Sequence, residues 1–198
     1  MSHDTEAAWA TQNIAQQIFN DNTICFSNHG DIDDAYAVAP PKVGWPQPDG
    51  LIRITRNGVD YVIALEYKRP NEGTHGILTA LGQSISYVTT YAASIIVIPK
   101  QYSSNNDPGG FVTDILKHSA PDQPIAVFVY DEPEGTLECI QTIELDNITL
   151  PAIHSSIVTN APKQQWAFVR EGEFTPSMIF RMVQSAKKLD SARVPTII

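Results

Sequence analysis

The spacing of apolar residues changes several times along the first hundred positions. Between residues 5 and 19 they recur near helical spacing, which predicts an amphipathic opening helix with Asp4 or Thr5 as its N-cap. Residues 23–26 form a short apolar run that is typical of a strand. Residues 28–50 are rich in Asp, Pro and Gly, and this composition predicts a long exposed loop.

The next segment has the spacing of a β-hairpin. Two β-type runs, residues 51–56 and 59–68, flank Asn57-Gly58, the strongest short-range signal for a tight type I′ turn. A two-residue turn fixes which residues of the two strands lie opposite each other. The register of the hairpin is therefore predicted from the turn alone.

This register places three ionisable side chains on one face of the hairpin. Asp49 lies opposite Glu66, and strand alternation puts Lys68 on the same face. Ala64 leaves space beside them, while the opposite face carries the larger side chains of Tyr61, Ile63, Leu65 and Tyr67. Two carboxylates and an ammonium group are therefore expected to converge on one small patch.

Helices and strands alternate through the rest of the chain. Helical spacing over residues 74–91 precedes a fully apolar run at 94–98, so a helix-sized connection joins two strands in a β-α-β unit. Further elements are predicted as a helix at 111–118, strands at 125–130, 136–145 and 166–169, and a helix at 175–189.

This order of elements predicts an α/β fold with a mixed central sheet flanked by helices. Residues 1–150 are expected to form the core. Residues 151–198 are expected to form a C-terminal strand and helix appendage, which could begin a recognition or dimerisation region.

Composition limits the classes of protein to which the chain can belong. Its apolar fraction of 42% is typical of a folded globular protein. The net charge of −9 argues against a general nucleic-acid coat protein, because clusters of Lys and Arg drive that kind of binding. Residues 51–100 and 151–198 nevertheless carry net positive charge. A polyanion would approach these stretches most easily, unless the pattern is a random fluctuation of surface charge.

Signals for export or membrane insertion are lacking in the sequence. No apolar run is long enough to span a bilayer, and the N-terminal residues are acidic. Cys25 and Cys139 are the only cysteines, too few for a disulfide scaffold or a cysteine-built metal site. We therefore expect a cytoplasmic protein with reduced cysteines and no membrane contact.

The predicted convergence of Asp49 and Glu66 suits a metal site. Facing like charges destabilise a sheet unless something compensates them. Mg²⁺ does so, since it binds one or two carboxylates and completes its shell with water and phosphate oxygens. Lys68 can then stand beside the attacking water or a nonbridging phosphate oxygen. The alternative is a solvated strand face with an ordinary ion pair.

The spacing of these residues resembles the signature of the PD-(D/E)xK nuclease superfamily, which includes many restriction endonucleases. Pro48-Asp49 is followed, after sixteen intervening residues, by Glu66-Tyr67-Lys68 on the next strand. The resemblance implies a restriction-endonuclease-like core with the element order αβββαβ, which matches the predicted elements.

A second motif strengthens the resemblance. Gln83 and Tyr87, four residues apart on the following helix, resemble the Q-x-x-x-Y element of Type I restriction motor subunits and recombination nucleases. The alternative is a helix face that merely packs on the sheet.

The resemblance implies roles for particular residues. In that superfamily the acids bind the metal, the Lys assists the water and the Gln orients the Lys or the substrate. The resemblance therefore implies that Asp49 and Glu66 are metal ligands and that Lys68 and Gln83 act with them in catalysis. An acid in the opening helix is also common there, so Glu6 is a further candidate ligand, although the helix dipole also favours an acid at that position.

The expected function is that of a Mg²⁺-dependent DNA endonuclease, with Mn²⁺ as a substitute cation, in the nuclease domain or subunit of a restriction system. A Holliday-junction or repair nuclease is the alternative within this class, and a non-cleaving nucleic-acid-binding module with a nuclease-like fold is the alternative outside it. Cleavage of both strands would call for a homodimer or a partner subunit or domain. Candidate contacts to DNA phosphates, which ordinary surface charge explains equally well, are Arg53, Arg56, Arg69 and Lys100.

Overall fold

The structure, a computed structural model, describes residues 2–21, 25–28, 32–40, 46–102, 107–144 and 148–160. Its helices are α1 His3–Asn20, α2 Gly73–Tyr87, α3 Pro108–Ser119 and α4 His154–Asn160, with a short 3₁₀ turn at Pro70–Glu72 before α2. Its strands are β1 Phe26–Asn28, β2 Ile32–Val38, β3 Gly50–Arg56, β4 Val59–Tyr67, β5 Ala93–Pro99, β6 Ile125–Tyr130, β7 Leu137–Gln141 and β8 Ile143–Glu144.

Six of these strands form one mixed sheet in the order β2-β3-β4-β5-β6-β7. β2, β3 and β4 are antiparallel neighbours, β4, β5 and β6 are parallel, and β7 returns antiparallel to β6. Helix α2 makes the crossover from β4 to β5, which confirms the predicted β-α-β unit. Outside the main sheet, β1 and β8 pair in parallel.

Helices cover both faces of the sheet, as the predicted α/β class requires. Helix α1 packs on β2, β3 and β4, where Ile14 and Ile18 join a core with Leu65 and Phe128. Helices α2 and α3 pack on β4, β5 and β6 from the other side. β5 and β6 are buried along their whole length because both of their faces are covered, which explains their continuous apolar sequences.

The predicted hairpin register is confirmed. Pairing runs from Arg56 opposite Val59 to Gly50 opposite Leu65. Asn57 has a φ of 51° and Gly58 a φ of 73°, the two positive values that a type I′ turn needs. The turn sequence therefore determines which residues of β4 face α1 and which face α2.

The predicted loop at residues 28–50 is wrong in part, because Ile32–Val38 is a strand. Its backbone is paired with β3, and its buried Ala35 and Ala37 pack in the core beneath α1. Alanine and aspartate have weak strand propensity, so the local sequence favours a loop. Pairing with the edge of the hairpin, a long-range contact, makes this segment a strand.

Helix α4 was not predicted, and it packs against the predicted core. Nε2 of the buried His154 accepts a hydrogen bond of 3.2 Å from the backbone N–H of Val62. Regular pairing between β4 and β5 starts only at Ile63 and Ala93, so the histidine satisfies an N–H that lies beyond the end of the ladder. The predicted elements at 166–169 and 175–189 lie outside the described residues. Among the helices that are described, none is both long enough and apolar enough to cross a bilayer.

Alanine substitution at two glycines tests the backbone conformation that the structure gives each of them. Gly58 has a positive φ, and Gly82 lies in the interior of α2; an added methyl group would meet open space at either position. We expect Gly58→Ala to lower the free energy of unfolding by about 1 to 2 kcal/mol, because alanine resists the left-handed conformation. Gly82→Ala should raise it by up to about 1 kcal/mol through helix propensity. Urea unfolding measures both changes, and two changes of the same sign would contradict this assignment.

The stability of the docked α4 should depend on pH through His154. Burial lowers the pKa of His154 below its ordinary value of 6.5, although the charge of Asp60 opposes the shift. As the pH falls, the unfolded chain therefore binds this proton first. The contribution of His154 is complete above about pH 6.5 and is lost as the pH falls through the folded pKa. Urea unfolding between about pH 8 and about pH 5 should show a shallower slope for His154→Gln than for the wild type; equal slopes would exclude this role.

Candidate active site

Asp49 lies at the start of the hairpin, where regular pairing ends. Its backbone N–H donates to the carbonyl oxygen of Leu65 at 2.9 Å, and its Oδ2 accepts from the backbone N–H of Tyr67 at 2.8 Å. The expected direct opposition to Glu66 is therefore not formed, because the ladder stops at Gly50. Helix α1 passes so close to Gly50 that a β-carbon there would lie 2.0 Å from Oγ1 of Thr11, which explains why this position takes glycine.

Glu66 and Lys68 form a buried ion pair at the end of β4. Nζ of Lys68 lies 2.7 Å from Oε1 of Glu66, and both side chains are less than one tenth exposed. The second oxygen of Glu66 accepts a 2.7 Å hydrogen bond from the hydroxyl of Tyr87, which also lies 2.9 Å from the carbonyl oxygen of Gln47. Both carboxylate oxygens of Glu66 are thus satisfied inside the protein.

Negative charge exceeds positive charge in the cluster formed by Asp49, Glu66 and Lys68. Burial raises the pKa of Asp49, and burial together with the charge of Asp49 raises the pKa of Glu66. Burial acts to lower the pKa of Lys68, but its hydrogen bond and charge contact with Glu66 outweigh burial. Glu72 adds to the rise, since its Oε2 lies 3.7 Å from Nζ of Lys68. The net effect raises the pKa of Lys68, so its side chain is an ammonium at neutral pH.

Two residues that the sequence did not single out stand beside this cluster. Nε2 of His3 is 3.1 Å from the carbonyl oxygen of Tyr67 and 3.8 Å from Oδ2 of Asp49. Glu72 contacts Lys68. It follows Lys68 by four residues, and this spacing in the sequence could have indicated an ion pair. His3 carries no such signal, because it lies 46 residues from Asp49 and only the docking of α1 brings it close.

Of the two motif residues on α2, Tyr87 makes the contact with Glu66. Gln83 lies one turn earlier and is half-buried. Its Oε1 is buried and has no hydrogen-bond partner within the described part of the chain. A buried amide oxygen without a donor is costly, so Gln83 has an acceptor available for a bound ligand or a water.

Glu6 lies apart from Glu66 and Lys68, in helix α1. Its two carboxylate oxygens accept from Nε and Nη2 of Arg69 at 2.9 and 3.1 Å. This bidentate contact occupies the carboxylate that was the candidate ligand, and it also occupies the guanidinium of Arg69 that was predicted to contact phosphate. The pair joins α1 to the end of β4. Both side chains are therefore engaged in a contact within the protein.

The structure corrects the prediction for Arg53 and shows what surrounds Arg56 and Lys100. Arg53 is buried, pairs with Asp60 and donates to the carbonyl oxygen of Val158 at 3.3 Å, so it holds α4 rather than phosphate. Arg56 lies at the hairpin turn, about 20 Å along β4 from Glu66. Lys100 is half exposed and lies 3.2 Å from Glu138 and 3.8 Å from Asp131. Sequence alone could not distinguish internal arginines from surface ones.

A cavity of about 340 Å³ opens beside the cluster. It gives solvent, a cation or a substrate access to Asp49, and it is lined by Asp4, Ala7, Pro40, Gln47, Pro48 and Asp49. A larger cavity of about 630 Å³ lies between the end of α3 and the strands β7 and β8, and none of the cluster residues lines it. Of these two cavities, the smaller one reaches the cluster, and it does so at Asp49; neither Glu66 nor Lys68 is among its lining residues.

The donor set of this cluster fits Mg²⁺ better than a soft metal. Within the described ranges, no group of three or more His, Cys, Asp or Glu side chains is arranged to hold a metal ion. Asp49 and Glu66 supply two carboxylates, and Mg²⁺ uses as few as one or two, with water in its other positions. Zn²⁺ sites usually need three or four protein ligands.

Comparison with known proteins does not assign the chain to a family. No protein-family model matches the sequence, and no curated protein is significantly similar to it. The arrangement of Asp49, Glu66 and Lys68 is therefore the ground for a functional assignment.

The ion pair can be tested without any substrate. In Lys68→Met the carboxylate of Glu66 loses its hydrogen bond and its opposite charge while it stays buried, so the pKa of Glu66 should rise further. Carboxyl ¹³C NMR titration measures this pKa. The exposed Lys117→Met serves as the control and should leave the pKa unchanged. A Glu66 pKa that is the same in both variants would show that the pair is not formed in solution.

Proposed function

We propose that this chain is a Mg²⁺-dependent DNA endonuclease whose sheet and helices form a restriction-endonuclease-like αβββαβ core. The single observation that carries this proposal is the buried contact between Lys68 and Glu66, with Asp49 close enough to raise the pKa of Glu66. α1, β2, β3, β4, α2 and β5 follow the implied order of elements. This arrangement suits hydrolysis of a phosphodiester, in which negative charge develops on phosphate oxygens.

The protein's own residues have separate tasks in this reaction. Asp49 and Glu66 would hold the cation, which supplies Lewis acidity and lowers the pKa of bound water. Lys68 is an ammonium, so it cannot take a proton from water; it donates hydrogen bonds to the attacking water or to a nonbridging oxygen. Tyr87 holds one oxygen of Glu66 and so limits the directions in which the carboxylate can turn.

The products follow from attack of water on phosphorus. A bond forms between the water oxygen and phosphorus, and the bond from phosphorus to the 3′ oxygen breaks. The attacking water gives up a proton to solvent and the leaving 3′ oxygen takes one from solvent, which gives 3′-hydroxyl and 5′-phosphate ends, as the resemblance implies. Gln83 lies one turn of α2 before Tyr87, and the acceptor at its Oε1 would orient a water or a substrate donor.

We place this activity in a restriction system, as its nuclease domain or subunit, with the second strand cut by a second copy or by a partner. A Holliday-junction or repair nuclease would use the same site on branched or damaged DNA. One observation favours the further candidate, a nucleic-acid-binding module that does not cleave: Glu66 already has partners on both of its oxygens. Cleavage requires the cation to compete with Lys68 for this carboxylate.

Cleavage assays with three variants test the proposal. We expect the purified protein to cut supercoiled DNA with Mg²⁺ or Mn²⁺, and Asp49→Asn, Glu66→Gln and Lys68→Met to lose at least about a hundredfold in rate, because each removes a charge at the reacting centre. Lys117→Met, which changes an exposed lysine on α3, should keep the wild-type rate.

The preferred DNA substrate and the presence of cleavage separate the alternatives. Faster cutting of linear duplex than of four-way junctions supports the restriction setting, and the reverse supports a resolvase. Absence of cleavage with either cation, together with a Mn²⁺ affinity that Asp49→Asn does not change, would rule out the nuclease. DNA binding without cleavage would support the module.

A further inference from the structure

The peptide groups that carry Lys68 are held by hydrogen bonds on both sides. The N–H of Lys68 donates to the carbonyl oxygen of Val97 at 2.9 Å, and its own carbonyl oxygen accepts from the hydroxyl of Tyr130 at 2.8 Å. Directly before it, the N–H of Tyr67 donates to Asp49; directly after it, the N–H of Arg69 donates to Glu72. The backbone on which the ammonium group depends is thus fixed from several elements.

Tyr130 comes from a distant part of the sheet. It is the last residue of β6, which is separated from β4 by β5, and it is fully buried on the α1 side of the sheet. Its ring stacks on Tyr67 with centroids 5.2 Å apart and planes inclined by 16°. The stacking aims the hydroxyl across the end of β5 at the carbonyl group of Lys68.

The hydroxyl of Tyr130 is a permanent donor. Burial raises its pKa above the ordinary value for tyrosine, so the group keeps its proton at neutral pH. Within the described chain it is the hydrogen-bond donor to the Lys68 carbonyl. Arg69, the next residue, has a longer contact of 3.3 Å from the hydroxyl of Tyr102 to its carbonyl oxygen.

Regular β4 structure ends at Tyr67, so the ladder of β4 does not by itself fix the peptide that follows Lys68. Rotation about the N–Cα bond of Lys68 moves its carbonyl group and its side chain together, and its ammonium lies only 2.7 Å from Glu66. Displacements of about 1 Å at a reacting group can cost roughly a hundredfold in rate. The hydrogen bond from Tyr130 restricts this rotation at the carbonyl oxygen, and the bond from the N–H of Arg69 to Glu72 holds the other side of the same peptide.

We propose that Tyr130 is a positioning residue for Lys68: its hydroxyl fixes the Lys68 peptide from the opposite face of the sheet and thereby keeps the ammonium against Glu66. The catalytic consequence rests on the proposed nuclease function. The geometric consequence does not, since it exists in the protein without metal or DNA.

Tyr130→Phe tests this inference, because it removes one oxygen and keeps the stacked ring. In the metal-free protein we expect the pKa of Lys68, followed by ¹⁵N NMR of its side chain, to fall, since a looser contact with Glu66 raises it less. With Mg²⁺ and DNA we expect kcat to fall roughly tenfold to a hundredfold while KM changes less than about twofold. A change confined to kcat reports on the reacting centre rather than on DNA binding.

Tyr36→Phe provides the matched control. Tyr36 is a half-buried tyrosine on β2, two strands from β4, and loses its hydroxyl in the same way. Tyr130→Phe should unfold at a lower urea concentration than the wild type because it loses a buried hydrogen bond, and of the two variants it alone should change the pKa of Lys68 and kcat. If Tyr130→Phe does not fold, both tyrosine variants are made in a protein that also carries Gly82→Ala, which should offset part of the lost stability.

The outcomes distinguish the inference from the proposed function. If Tyr130→Phe leaves the pKa of Lys68 and kcat equal to those of Tyr36→Phe, the positioning role is overturned even though the nuclease stands. If the wild type cleaves no DNA but Tyr130→Phe still changes the pKa of Lys68, the nuclease fails and the positioning of Lys68 is upheld.

Discussion

The buried ion pair of Lys68 and Glu66 is the interaction on which this end of the sheet depends. Removing a carboxylate and an ammonium from water costs several kcal/mol per ion, and only close contact with further hydrogen bonds offsets that cost. The structure meets this demand with a 2.7 Å contact between the two groups and with the hydroxyl of Tyr87 on the second oxygen of Glu66. The hairpin, helix α2 and the turn before it must therefore meet in one arrangement.

The same cluster leaves an excess of negative charge. Asp49 and Glu72 stand near an ammonium that Glu66 already neutralises. Burial raises the pKa of Asp49 and of Glu66, and the neighbouring carboxylate charges add to both rises. A site of this kind gains free energy from any additional positive charge that can enter it. The neighbouring cavity at Asp49 gives that charge a route, which links the electrostatics of the cluster to the proposed metal site.

Two arginines that were predicted to contact phosphate are used in internal packing instead. Arg53 and Arg69 were candidates for phosphate contacts, but they pair with Asp60 and Glu6 and attach α4 and α1 to the hairpin. Arginine suits this use because its planar group bonds a carboxylate through two nitrogens at once. The proposed nuclease must therefore rely on the cation and Lys68 for much of its attraction to the scissile phosphate.

Local sequence signals determined a large part of the fold. The Asn57-Gly58 turn and the alternation of β4 fixed the hairpin register and put Glu66 and Lys68 at one end of it, and the apolar runs of β5 and β6 marked the buried parallel strands. These features follow from dihedral preferences and from burial, which neighbouring residues define. Tertiary structure alone decided that residues 32–38 form a strand, that Arg53 is internal, and that Tyr130 and His3 reach the candidate site. Each of these depends on a partner far away in the chain, and no local pattern specifies where such a partner will lie.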